Sequence, residues 1–267
     1  MFKKWIICLK ENPYLYAKRW EGNLYFKLAK VAVISCLKNT DFTPVVVFDG
    51  EQNAFTDWLD QKGVTVIYHQ SSLTDFIINS NWSDFDKYTG LGAYIRIDLP
   101  ALAKKLAWND QYILYTDIDV MFLRGWKNLR FNIDCEFIAV AKEFREDQSD
   151  NFNTGVMVMN LPNLYSCYND FKNFCINHIK NPVSSDIFDQ AAYRKFFASN
   201  YNALNSSFNW KSYWEHNPKA KLIHFHGIKP YHKDAEVLRI QAEQIQCLAT
   251  PEYYENVNLW ESYAKLI

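Results

Sequence analysis

Positive charge is not in excess along this chain. Its 29 lysines and arginines face 30 aspartates and glutamates, for a formal net charge of -1. Without a basic field or a dense Lys/Arg run, there is no track for a nucleic-acid backbone. From Lys233 to Ile267, six acidic residues stand against three basic ones, which argues against a polybasic anchor there. Long apolar runs are missing too. No segment offers the roughly 18 apolar residues that a membrane span needs. The opening MFKKWIICLK puts only five apolar residues after its lysines, too few for a signal-peptide core. These absences predict cytoplasmic action, with at most peripheral contact at the inner face of a membrane. Such contact would use exposed rings such as Tyr253, Tyr254 and Trp260, unless these pack a C-terminal helix onto the body. Six cysteines are present (Cys8, Cys36, Cys135, Cys167, Cys175 and Cys247), none in a CxxC pair. Their scatter through apolar runs predicts buried free thiols in a reducing compartment. Glycine and proline number only eight each and are dispersed, so no linker stands out.

What is present is apolar and aromatic. Hydrophobic residues make up 49% and rings 17%, which predicts an ordinary globular chain with a ring-rich core. KWIICL, TPVVVFDG, VTVIYH, YILYT, FIAVA, TGVMVMNL and KLIHFH read as strands. Helical patterns cover Gly22 to Leu37 and NAFTDWLDQKG, with Gly63 as a stop. SSLTDFIINS reads as a helix capped by Ser72 or Thr74. GLGAYIRIDLPALAKKL is a helix broken near Pro100. Further helices fit Asn163–Ile179, Ser185–Phe197 and the tail from Asp234. Strands alternating with helices imply a mainly parallel central sheet with helices on both faces. The simplest parse is one catalytic domain over 1–231 and a C-terminal helical extension over 232–267 packed on it.

One strand ends strangely. YILYTDIDVMFL carries Asp117 and Asp119 into an apolar run. Side chains at i and i+2 of an extended segment point the same way. Ligands of open α/β sheets sit outside the carboxyl ends of the strands. Two carboxylates converging there repel unless a cation is shared, and Mn²⁺ or Mg²⁺ suits such oxygen ligands. The plain alternative is an Asp-turn with the second aspartate solvated. KLIHFHGIKPYH adds His224 as a third ligand at the end of another strand. In the same segment Gly227 admits a close backbone approach, and Lys229 can meet a diphosphate as a point charge.

Five pieces in order resemble glycosyltransferase family 8, the GT-A-fold group of glycogenin and the bacterial lipopolysaccharide galactosyl- and glucosyltransferases. They are YIRIDLP (Tyr94–Pro100), ILYTDIDV, FNTGVMVMNL (Phe152–Leu161), Asp189-Gln190, and LNSSFNW followed by HFHGIKP. The last departs from the family in having only Ile228 between Gly227 and Lys229, and Tyr231 where a Trp is common. The resemblance implies a GT-A (nucleotide-diphospho-sugar transferase) fold. It implies metal-dependent transfer of a hexose from a UDP-sugar to a glycan or glycolipid, with retention at the anomeric carbon. By the same likeness, Cys8, Leu9, Ile118, Thr154 and Gly155 would join the donor site. Arg96, Asn153 and Asp189 would read sugar hydroxyls. Each has a structural alternative: an exposed helix arginine, a turn over 153–155, and a partner for a helix dipole.

Retention demands either a covalent sugar–enzyme intermediate or attack from the leaving-group face. Asp189 is a chemically able nucleophile. Gln190, a neutral amide, suits an electron-poor sugar carbon better, which favours same-face attack. Two rivals carry other functions. A non-catalytic nucleotide-sugar-binding protein would share the fold. A haloacid dehalogenase-type phosphatase would share TDIDV, but its nucleophile lies near the N-terminus and HFHG would go unexplained.

Overall fold

The computed structural model describes residues 3–17, 22–127, 133–144, 151–181 and 188–267. Twelve strands occur among them. β1 is Lys4–Lys10, β2 Tyr16–Ala17, β3 Gly22–Asn23, β4 Thr43–Asp49, β5 Thr65–Tyr68 and β6 Tyr112–Thr116. β7 is Val120–Phe122, β8 Ile138–Lys142, β9 Phe152–Asn160, β10 Tyr201–Ala203, β11 Trp210–Lys211 and β12 Leu222–His224. Seven form the main sheet in the order β10-β8-β9-β6-β1-β4-β5.

Apolar residues alternate between the two faces of that sheet. Ile6, Val45, Val47, Ile113 and Tyr115 join one buried cluster, with side chains from Tyr94–Ala103 and from the helices Tyr168–Lys180 and Asp189–Phe197. Trp5, Ile7, Val46, Phe48 and Leu114 join the other, with the helices Leu24–Asn39 and Ala54–Gln61. Both faces are therefore covered, which is why these strands read as continuous apolar runs.

One strand runs backwards. β9 is antiparallel to both β6 and β8, while the other sheet pairings are parallel. Its first residues therefore lie at the carboxyl edge where β6 ends. Thr116 pairs with Val156, and the Asp117 N–H donates to the Gly155 carbonyl at 2.8 Å. A second sheet, β11-β12-β7, brings His224 opposite Val120. The Phe225 N–H then donates to the Asp119 carbonyl at 2.9 Å. This pairing closes a sequence gap of more than a hundred residues.

Local chemistry sets the helix ends. Asn23 caps Leu24–Asn39, and Asn53 caps Ala54–Gln61 within a reciprocal capping box. Gly63 then takes the left-handed φ of +71° that ends that turn. Several expectations shift. Thr74–Ile78 has no side-chain cap, because Ser72 Oγ donates instead to Asp98 at 2.6 Å and Thr74 Oγ1 to the Ser71 carbonyl at 2.8 Å. Pro100 sits in the first turn of Leu99–Lys105, where its missing N–H costs nothing, behind a 3₁₀ turn over Tyr94–Asp98. The helix expected over Asn163–Ile179 is two, Leu161–Ser166 and Tyr168–Lys180. Of the helix expected over Ser185–Phe197, residues 185–187 lie outside the described residues and Asp189–Phe197 is helical.

The tail folds into three helices, Ala235–Arg239, Glu243–Gln246 and Pro251–Ala264. Tyr253, Val257, Trp260 and Tyr263 of the last are buried against Leu28, Val31 and Met121. Membrane contact through Tyr253 and Trp260 is thereby ruled out, since their rings are spent on this packing; Tyr254 stays exposed. No helix among the described residues is long and apolar enough to cross a membrane. All six cysteines are free; Cys8, Cys36, Cys135 and Cys175 are buried, Cys167 is half-buried and Cys247 is exposed.

Candidate functional site

A cavity of about 290 Å³ opens at the carboxyl edge of β1 and β6. Eleven of the fourteen predicted site residues line it: Cys8, Leu9, Arg96, Asp117, Ile118, Asp119, Asn153, Thr154, Asp189, Gln190 and Lys229. The other three, Gly155, His224 and Gly227, stand behind its wall. Gly227 has φ +73°, and a Cβ there would meet Leu248 at 3.0 Å, so its place is a left-handed turn packed on the tail.

The two aspartates converge through a bend rather than a continued strand, since β6 stops at Thr116 and β7 starts at Val120. Asp119 is buried, which overturns the alternative of a solvated second aspartate. Ligand atoms of Asp117, Asp119 and His224 lie within 4.8 Å of one another. His224 Nε2 is 3.4 Å from Asp119 Oδ1 and 4.0 Å from Asp117 Oδ2. Asp119 Oδ1 is buried and has no hydrogen-bond partner. Gly155 lines the same gap. A Cβ there would fall 2.2 Å from His224 Cε1 and 2.8 Å from Asp117 Oδ2. An unpartnered buried oxygen facing an imidazole nitrogen, beside a second carboxylate, fits a divalent cation.

Electrostatics agree with that fit. Burial pushes the His224 imidazole down to about 3, so it is neutral and can offer a lone pair. Loss of hydration pushes Asp117 up to about 6, with Asp119 and Asp189 adding repulsion against the attraction of Arg96. Burial also opposes ionisation of Asp119, but the Lys229 ammonium outweighs it and holds that carboxyl well below the ordinary range. Burial works against Lys229 as well, yet its ion pair with Asp119 raises it to about 12.

Arg96 is buried, which rules out an exposed helix arginine. Its Nε pairs with Asp189 Oδ2, and its Nη1 donates to Asp117 Oδ1 at 3.2 Å and to the Thr154 carbonyl at 2.8 Å. The guanidinium sits 5.0 Å and 5.6 Å from the ring centroids of Tyr115 and Tyr193. Such a buried hub holds three elements together, because leaving the buried Asp189 carboxylate unpaired costs several kcal/mol. Asn153, Thr154 and Gly155 belong to β9 rather than to a turn. The Gln190 carbonyl accepts from the Thr154 N–H and the Asn153 amide, both at 3.0 Å.

Sequence reasoning missed part of the wall. Tyr25, Thr89, Gly92 and Phe188 also line the cavity, beside Lys10 and His226, which the sequence did single out. Gly92 carried a signal: a Cβ there would press the Lys10 backbone N at 3.3 Å, so the small residue lets its helix approach β1. Behind the wall, Glu143 pairs with Arg194 and holds His226 at 3.2 Å. Asn209 and Lys211 are fully buried beside His224, and their only trace in the sequence was the segment LNSSFNW and its next residue.

Solved structures share this architecture. The glycosyltransferase GlyE of Streptococcus pneumoniae superposes with a TM-score of 0.63 at 12% identity, over 98% of this chain. This chain spans only 62% of the length of GlyE. The galactosyltransferase LgtC, solved with donor and acceptor sugar analogs, gives 0.62 at 16% identity, covering 95% of this chain and 99% of its own. Mouse xyloside xylosyltransferase 1 gives 0.53 at 14% identity, over 83% and 96%. At these identities the likeness shows the GT-A fold alone. No curated protein matches the chain significantly by sequence. A family profile, described as glycosyl transferase family 8, matches residues 22–235, which takes in β6, β9, the Asp-Gln helix start and the His224 strand. A match over most of the chain settles the family and sets aside the phosphatase: this protein belongs to glycosyl transferase family 8.

Proposed function

We propose that this glycosyltransferase moves a hexose from a UDP-sugar to a glycan or glycolipid, with retention, and that Asp117, Asp119 and His224 hold Mn²⁺ or Mg²⁺ for it. One observation carries the reading. Three ligand atoms meet within 4.8 Å in the wall of the cavity, and one of them, Asp119 Oδ1, has no hydrogen-bond partner. A divalent cation there supplies Lewis-acid stabilisation of a departing diphosphate.

The chain's own groups do the rest. Lys229 is ion-paired with Asp119 and donates to the Phe225 carbonyl at 3.0 Å, and its ammonium is suited to turn from Asp119 to a phosphate oxygen. The backbone from Cys8 to Lys10 offers a ledge for the nucleoside. Arg96 neutralises Asp189, which blunts that carboxylate as a nucleophile. This supports same-face attack, with Gln190 and Asp189 flanking the sugar and the leaving phosphate oxygen taking the acceptor's proton. Asn153 and Thr154 line the same wall, and reading sugar hydroxyls would have them exchange their present bonds to Gln190, Gly155, Asn209 and Arg96. Residues 1–231 carry this chemistry, and 232–267 brace it: the Tyr253 hydroxyl donates to the Lys229 carbonyl at 2.8 Å.

The test is a nucleotide-sugar panel with Mn²⁺ or EDTA, scored by UDP release. Release from one UDP-hexose that EDTA abolishes is expected. UDP binding without turnover of any donor would refute the reading in favour of a non-catalytic binder.

A further inference from the structure

Behind the acidic cluster lies a chain of side-chain amides, Gln190, Asn153 and Asn209, whose last member the proposed chemistry does not use. Its orientation is dictated from the backbone. The Thr154 N–H donates to Gln190 Oε1 at 3.0 Å, so that atom is an oxygen. Gln190 Nε2 therefore faces outward and donates to Glu143 Oε1 at 3.1 Å. The Gly155 N–H donates to Asn153 Oδ1 at 3.2 Å, which makes that atom an oxygen too. Asn153 Nδ2 then donates to Gln190 Oε1, in agreement with the first assignment. Asn209 Nδ2 donates to Asn153 Oδ1 at 2.9 Å, so its carbonyl must point the other way.

That carbonyl faces His224. Asn209 Oδ1 lies 2.8 Å from His224 Nδ1 and also accepts from the buried Lys211 ammonium at 3.0 Å. A carbonyl oxygen only accepts, so Nδ1 carries the ring proton. Nε2 is left with its lone pair, aimed at Asp117 and Asp119. Lys211 lies 3.4 Å from Nδ1 and finds its acceptor in Asn209 instead. Asn209 and His224 are both fully buried, so water cannot replace either bond.

We infer that Asn209 is a positioning residue: it fixes His224 in the Nδ1–H tautomer and so presents Nε2 to the cation. The inference rests on the cation reading above for its purpose, but its structural half stands alone. Ligating histidines commonly need such an outer partner, and its loss costs about 10–100-fold in metal affinity.

The test uses the whole chain, ¹⁵N-labelled at histidine and free of metal. The chain has 6 histidines, and the His224 signals are assigned by their loss in His224→Gln. Long-range ¹H–¹⁵N spectra of the wild type are expected to show Nδ1 protonated and Nε2 bare. Asn209→Leu removes the acceptor at similar size. It is expected to lose the single tautomer and to weaken Mn²⁺ binding about 10–100-fold by calorimetry. Asn209→Asp keeps an acceptor oxygen but breaks the bond to Asn153. It is expected to hold the tautomer and an affinity close to wild type, even if it melts lower. A merely structural role predicts that affinity follows melting temperature in both variants. Wild-type protein protonated on Nε2, or Asn209→Leu with unchanged tautomer and affinity, overturns the inference. If the tautomer depends on Asn209 but wild type binds no Mn²⁺, the positioning holds and the cation reading fails.

Discussion

Gly155→Ala is the sharpest perturbation of the acidic cluster. Its φ is not in the left-handed region, so the added methyl brings no backbone strain. The cost is space. A Cβ at this position lies 2.2 Å from His224 Cε1, 3.0 Å from His224 Nε2 and 2.8 Å from Asp117 Oδ2. Reaching an ordinary 3.4 Å from Cε1 takes roughly 1.2 Å of movement (3.4 less 2.2). The imidazole cannot swing freely, because Asn209 holds Nδ1 at 2.8 Å and β12 holds its backbone. Overpacking of this kind costs about 1–3 kcal/mol, or roughly 2–4 °C of melting temperature per kcal/mol at this size. Ligand positions tolerate only about 0.2 Å of error. Mn²⁺ affinity is therefore expected to fall at least 10–100-fold, about 1.4–2.8 kcal/mol. Gly63→Ala is the control. Its φ of +71° makes alanine cost about 1–2 kcal/mol through strain, with nothing within 4 Å to displace. Calorimetric Mn²⁺ titration alongside thermal melting separates the two. Gly155→Ala with wild-type affinity, or Gly63→Ala with an equal loss, would refute the reasoning.

Other perturbations follow from the same geometry. Arg96→Ala strands the buried Asp189 carboxylate and is expected to cost about 3–5 kcal/mol in urea unfolding; a loss under 1 kcal/mol would deny Arg96 its role as hub. Burial raises Glu143, but the His226 bond and the Arg194 ion pair outweigh it and hold the carboxyl at about 2 against an ordinary 4.5. Its folded value is depressed, so its contribution is complete above pH 4.5 and lost as pH falls toward 2. Glu143→Gln is expected to flatten stability across that window, and an unchanged pH profile would contradict the assignment. Tyr253→Phe removes the bond to the Lys229 carbonyl and is expected to cost about 0.5–1.5 kcal/mol. A thiol reagent is expected to label Cys247 at once in the native protein and the four buried thiols only on unfolding.

The sequence alone determined the class of fold and the identity of most chemical groups. Strand runs such as KWIICL and TPVVVFDG are apolar on both faces, and only a doubly covered sheet buries them. The i, i+2 spacing of Asp117 and Asp119, with His224 ending another apolar run, marked the cluster because acids and imidazole rarely close buried strands without a shared partner. What pattern cannot carry is direction and pairing. Nothing in TGVMVMNL says that β9 runs backwards, since period-2 alternation reads the same either way. That reversal alone sets Asn153 and Gly155 beside Asp117. Arg96 read as a sugar-binding candidate or an exposed helix arginine, and nothing in YIRIDLP foretold its burial against Asp189, 93 residues away. Asn209 sat inside LNSSFNW and Lys211 just after it, but nothing there marked their roles, because their work is done through the contacts of a ring that arrives from a distant strand. Local chemistry chose the groups; long-range packing decided which atoms face which, and a lone pair aimed a few ångströms off would hold nothing.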